Sequence, residues 1–160
     1  MSTRLTEKGT LMVESQALQL VQEASEVSDM ITRHVSDELQ SLGYYGATPS
    51  MLGFLSALEC GINYGSDIAR KLGVSRQMVA KTVRELSQVG YLEQLSVGGR
   101  RQKQIVFTLQ GEHLMADARQ TLAALDRRLA KQLAATTVLT TVKNLDRIKL
   151  VLGHSSAISR

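Results

Sequence analysis

The fold is decided by the stretch SDIARKLGVSRQMVAKTVRELSQVG, residues 66–90. Apolar residues recur in steps of three and four at Ile68, Ala69 and Leu72, and again at Val79, Val83 and Leu86, the period of amphipathic helices. Gly73 separates the two runs, and glycine adopts at little cost the left-handed conformation that closes a helix. Ser75 carries a hydroxyl suited to capping the next helix, which Gly90 ends. Ala69 is small where the two helices cross, and Val79 ties the second helix to the first. This is the spacing of a helix-turn-helix.

With the apolar face assigned, Ser75, Arg76, Gln77, Ala80, Lys81 and Arg84 fall on the opposite face of the second helix. A short glycine turn pushes the start of that helix outward, where it fits a DNA major groove about 12 Å wide. Arginine bonds O6 and N7 of guanine together, glutamine does the same to adenine, and lysine or a helix N-terminus grips phosphate.

Working outward toward the C-terminus, YLEQLSV (91–97) and QIVFTL (104–109) are β-prone, with Ile105, Phe107 and Leu109 alternating. They enclose GGRRQK (98–103). The pattern predicts a hairpin with a basic tip of Gly98, Gly99, Arg100, Arg101 and Lys103. Such a wing reaches the minor groove, where narrow stretches favour arginine. Thr108 ends the strand and caps a long helix through Leu114, Ala118, Leu122, Leu125, Leu129 and Leu133. Thr136 and Thr137 break it, and a last helix carries Val138, Val142, Leu145, Ile148 and Leu152.

Toward the N-terminus, Thr48 and Pro49 mark the cap and first residue of a short helix. Met51, Leu52, Phe54, Leu55, Ala57 and Leu58 surround its axis and predict burial. Before the break at residues 43–47, apolar residues recur from Val13 through Ala17, Leu20, Ala24, Val27, Ile31, Val35 and Leu39 to Leu42. This predicts one helix roughly 45 Å long at 1.5 Å per residue, more than a core of this size covers. Part of its stripe is expected to meet another chain.

Charge supports this division of labour. Lys and Arg number 3 against 8 Asp and Glu over residues 1–60, 8 against 3 over 61–111, and 8 against 4 over 112–160. The positive field is therefore concentrated where the helix-turn-helix and wing lie, as on a surface that faces a polyanion.

Of the 160 residues, 43% are hydrophobic, 21% charged and one is proline, a composition that predicts an ordered, helix-rich protein. The lone Cys60 allows no internal disulfide, and neither a leader nor a membrane-spanning run is apparent, which predicts a cytoplasmic protein. Cys60 is expected to be a buried, inert thiol. His34, His113 and His154 show no metal-ligand spacing. No paired carboxylates, nucleophile elbow or phosphate loop is present, so neither an enzyme, a metal nor a cofactor is expected.

The motifs LGVSR (72–76), LSQVGYLEQ (86–94), GGRRQKQIV (98–106) and FTLQG (107–111), in this order, resemble the MarR family of winged-helix regulators. The chain departs from the family's Asp-x-Arg wing in one respect: Gly99 stands at the aspartate position, while Arg101 keeps the arginine. Phe107 replaces the usual leucine.

The resemblance implies a mainly α fold with a small β-hairpin wing: a winged helix-turn-helix domain over 46–111, between dimerisation helices over 1–45 and 112–160. It implies a homodimer that reads a pseudo-palindromic operator in double-stranded DNA as a transcription regulator, and a repressor released by a small aromatic effector. Tyr44, Tyr45 and Met51 are the candidates to line the effector's pocket. The alternative is a winged-helix interaction module that docks on an acidic protein partner.

Overall fold

The computed structural model describes residues 3–5, 7–13, 15–96 and 103–155. The elements in chain order are β1 (Thr3–Leu5), β2 (Leu11–Val13), α1 (Gln16–Ser41), α2 (Pro49–Leu55), β3 (Asn63–Tyr64), α3 (Gly65–Leu72) and α4 (Arg76–Gln88). They are followed by β4 (Leu92–Leu95), β5 (Gln104–Phe107), α5 (Leu109–Gln132) and α6 (Thr137–Ser155). The fold is mainly helical with a small antiparallel sheet, as the sequence implied. Among the described residues no helix is long and apolar enough to cross a membrane.

The chain forms two compact units, residues 1–116 and 117–160. In the first, α2 lies at the centre. Thr48 accepts the Met51 amide at 3.3 Å and Pro49 opens the helix. Met51, Leu52, Phe54, Leu55, Ala57 and Leu58 are all buried, as their clustering predicted. With Leu39, Ile68, Val79, Val83, Leu86, Tyr91, Leu92 and Leu114 they make the core. Each fully buried Leu or Ile in it stabilises the fold by about 1.5–3 kcal/mol.

The sheet has the order β3-β5-β4, antiparallel throughout. Its third strand was not foreseen. Asn63 pairs with Ile105 across β3 and β5, and its buried side chain holds the preceding loop in place. The Asn63 amide oxygen accepts from Glu59 N at 2.8 Å, and its NH2 group donates to the carbonyls of Glu59 (3.0 Å) and Gly61 (3.1 Å).

This clamp corrects one expectation. α2 stops at Leu55, and Asn63 fixes the backbone of 59–61 in a surface loop, so Cys60 is exposed rather than buried.

The N-terminus is corrected as well. Instead of opening the long helix, Val13 closes a hairpin in which Thr3 pairs with Val13 and Leu5 with Leu11. Gly9, at φ +76°, makes the reversal between the strands. Ser15 then caps α1, accepting from Ala17 N at 3.2 Å. Along α1 only Val35, Ser36 and Leu39 are buried, and every residue from Gln16 to Met30 is exposed.

At the far end of the sheet, Leu109 does not continue the alternation of β5. Thr108 stops the strand, its hydroxyl accepting from Gly111 N at 3.1 Å and donating to the Gly90 carbonyl. Leu109 thereby becomes the first residue of α5 and is exposed.

The second unit contains the end of α5 and α6; the break between them lies at residues 133–136, so Leu133 falls outside α5 and Thr137, expected in the break, opens α6. Along α6, Leu139, Leu150, Val151 and Leu152 are exposed.

Candidate nucleic-acid interface

Two caps position the second helix of the helix-turn-helix. Gly73, at φ +65°, closes α3 in the left-handed conformation, and Val74 N returns to the Ala69 carbonyl at 3.0 Å. Ser75 then caps α4, its hydroxyl accepting the Met78 amide at 3.1 Å. Val79, Val83 and Leu86 point inward at 1–2% exposure. Their spacing leaves no choice of face, and Ser75, Arg76, Gln77, Ala80, Lys81 and Arg84 are all exposed.

The cations of this face, Arg76, Lys81 and Arg84, are all exposed. Lys81 stands 3.8 Å from Glu85, with both side chains well exposed. Such a surface pair is worth little, so a phosphate displaces it at small cost. The start of α4 also presents backbone amides and the positive end of its dipole. Gln77, Met78, Lys81, Arg84, Glu85 and Gln88, with the cap Ser75, line one side of the helix around an open cleft of about 640 Å³.

On the other side of α4 a second crevice, about 360 Å³, joins the helix to the sheet. Arg76 and Ala80 line it together with Ser66, Gln94, Lys103 and Ile105. Helix α4 and the base of the β4–β5 hairpin thus share one surface, with Arg76 and Lys103 as its two cations. Ser66 and Gln94 were missed in sequence: neither belongs to a periodic pattern, and only β4 and the start of α3 bring them there. Gly99, Arg100 and Arg101, expected at the wing tip with Gly98, lie outside the described residues.

The wing base is anchored through Tyr91, the residue before β4. Its ring is 1% exposed and lies 6.3 Å from that of Tyr44 at 48°. Its hydroxyl donates to the Tyr45 carbonyl at 3.0 Å, and burial pushes its pKa up. Its own carbonyl accepts from Thr108 N at 3.1 Å.

The three residues expected around an effector therefore occupy different settings. Tyr44 packs on Tyr91, Met51 lies in the core, and the Tyr45 side chain is 84% exposed.

A capped second helix with a basic outer face, beside a three-stranded sheet that contains the β4–β5 hairpin, defines the winged helix-turn-helix class. Solved structures make the class narrower. A MarR-family transcriptional regulator from Rhodococcus sp. RHA1 is 20% identical with a TM-score of 0.64, the match covering 85% of this chain and 96% of that one. A mutant MarR from E. coli complexed with operator DNA is 19% identical with a TM-score of 0.66, covering 83% and 95%. The S. aureus MepR–DNA complex is 18% identical with a TM-score of 0.60, covering 88% and 99%. No family model matches the sequence, and the search of curated proteins found no match. The fold is that of the MarR-type winged-helix transcription regulators.

Proposed function

We propose that this protein binds double-stranded DNA sequence-specifically as a homodimer and regulates transcription. The observation that carries the reading is the outer face of α4: seven exposed residues from Ser75 to Arg84, three of them cationic, on a helix whose other face is locked into the core. Arg76 and Gln77, in its first turn, are suited to base edges, and Lys81 and Arg84 to phosphates or further bases. Arg76 also faces the crevice shared with Lys103, so the wing continues the contact toward the minor groove.

Dimerisation follows from exposed apolar surface. The first half of α1 bears Leu18, Val21, Val27 and Met30 at 52–66% exposure, and α6 bears Leu150, Val151 and Leu152 at 63–68%. An uncovered helix of this length is marginal in water, and a second copy supplies the missing cover. Two copies related by a two-fold axis present two recognition helices to a pseudo-palindromic site. Repression relieved by a small aromatic effector is the mode of action that the MarR resemblance implies for such a dimer.

Specificity is tested by binding to a two-fold duplex in the presence of excess random DNA. The complex is expected to survive the competitor and to weaken steeply with salt. Equal affinity for every duplex refutes sequence specificity. Retention of an acidic protein partner after nuclease treatment, with no DNA shift, refutes the DNA reading itself.

A further inference from the structure

We propose that Met78 is a specificity-determining residue that reads the 5-methyl group of a thymine in the major groove; the inference rests on the DNA reading above. Among the described residues, Met78 is the only large apolar side chain exposed on α4, at 56%. The face of α4 that packs on the core is filled by Val79, Val83 and Leu86, each 1–2% exposed, and Met78 takes no part in it. Its amide is the one that the Ser75 hydroxyl accepts, at 3.1 Å, which fixes Met78 in the first turn of the helix. The start of a recognition helix is the part that meets base edges.

The neighbours of Met78 decide what it meets there. It lines the 640 Å³ cleft among Gln77, Lys81, Arg84, Glu85 and Gln88, all of which carry hydrogen-bonding groups. Met78 and Glu85, at i and i+7, form one row along the flank of this face, while Lys81 and Arg84 lie nearer its centre. A phosphate on that row meets a carboxylate of its own sign and a thioether without a donor, so the row is a poor counterpart for the DNA backbone. A base edge is the good one. The thymine methyl is the apolar group that a major-groove edge presents; the donors and acceptors of the other bases would be left unpaired against a thioether. Methionine is unbranched and polarisable, and adapts its tip to such a methyl.

A thymine scan tests this on a duplex selected from a random pool. Each thymine of the half-site is replaced, with its symmetric mate, by deoxyuridine, which removes the methyl and keeps every hydrogen-bonding group. At one position the wild-type protein is expected to lose affinity about 4-fold per methyl, on the order of 10-fold for the symmetric pair. Met78→Ala should show no difference between thymine and deoxyuridine at that position, and Met78→Leu, which keeps an apolar tip, should restore it. A selected half-site without thymine, no penalty at any position, or an equal penalty in Met78→Ala overturns the methyl contact and leaves the DNA reading standing. Failure of the pool to yield any preferred duplex overturns both. Should the alanine variant fail to fold, the Met78 methyl resonance of the unaltered protein is an independent check. It is expected to shift on binding the thymine duplex and to lose that shift with deoxyuridine; the same shift with both duplexes overturns the contact.

Discussion

Replacing Gly111 by alanine tests how the wing is locked to the helix that follows it. A Cβ at Gly111 would lie 2.1 Å from the Tyr91 carbonyl oxygen, 3.0 Å from its carbon and 3.1 Å from Cδ1 of Phe107. The two nearest atoms are backbone, and the oxygen is the acceptor for Thr108 N at 3.1 Å. Relief requires the start of α5 and the start of β4 to separate by about 1 Å, which strains that hydrogen bond and the Thr108 cap beside it.

Overpacking of this kind costs about 1–3 kcal/mol, here at the upper end because backbone cannot rotate away. The weakened hydrogen bond adds about 1 kcal/mol. Alanine's better helix propensity returns about 1 kcal/mol. The net expectation is a loss of about 2–3 kcal/mol, read in urea as a midpoint lowered by roughly 1–2 M at a slope typical of small proteins. Gly53→Ala is the control, because Gly53 is exposed within α2 and its added Cβ meets nothing within 4 Å. It is expected to be neutral or stabilising by up to about 1 kcal/mol. Equal midpoints for the two variants would refute the packing argument.

Other expectations follow from the same geometry. Arg76→Ala should weaken DNA binding by about 1–3 kcal/mol in a titration at fixed salt, with the thermal midpoint unchanged because the side chain is exposed. Ser75→Ala removes the cap on Met78 N and should cost about 1 kcal/mol in urea unfolding, with a parallel loss in DNA affinity as the first turn of α4 frays. Asn63→Ala abandons the bonds to Glu59 and Gly61 and should cost about 2–3 kcal/mol, with faster hydrogen exchange at residues 59–61.

The raised pKa of Tyr91 sets an alkaline limit. The folded state favours the neutral phenol, so its stabilisation is complete below the unfolded pKa of about 10 and is lost as pH rises through the higher folded value. In alkaline titrations Tyr91→Phe should flatten this loss of stability; an identical pH profile would contradict it.

The parts legible in sequence are those where one residue type settles a local conformation. Gly73, Ser75, Thr48 with Pro49, and Thr108 each mark an element boundary by a single backbone need, and the helices between them follow from their apolar period. The third strand could not be read because β3 is two residues long and its reason is a buried amide, Asn63, bonded to a loop four residues before it. Val13 was drawn into the period of α1 because an apolar residue at the end of a short run fits strand and helix alike. Gly9 in the turn and Ser15 as cap were the signals for a hairpin. At the candidate interface most of the outer face of α4 was legible, since burial of Val79, Val83 and Leu86 fixes it, but the exposed Met78, Glu85 and Gln88 on the same cleft were not singled out. Ser66 and Gln94 were not, because proximity to Arg76 and Lys103 arises only when α3 and β4 are folded against α4.

The central claim, that the outer face of α4 reads DNA sequence in a two-fold dimer, is tested most directly by selecting bound duplexes from a random pool. The account predicts enrichment of an inverted repeat whose half-sites lie about one helical turn, roughly 10 base pairs, apart. Selection with Arg76→Ala should relax the preference at symmetric positions in both halves. Recovery of sequences with no repeat, or the same preference from the variant, would contradict it.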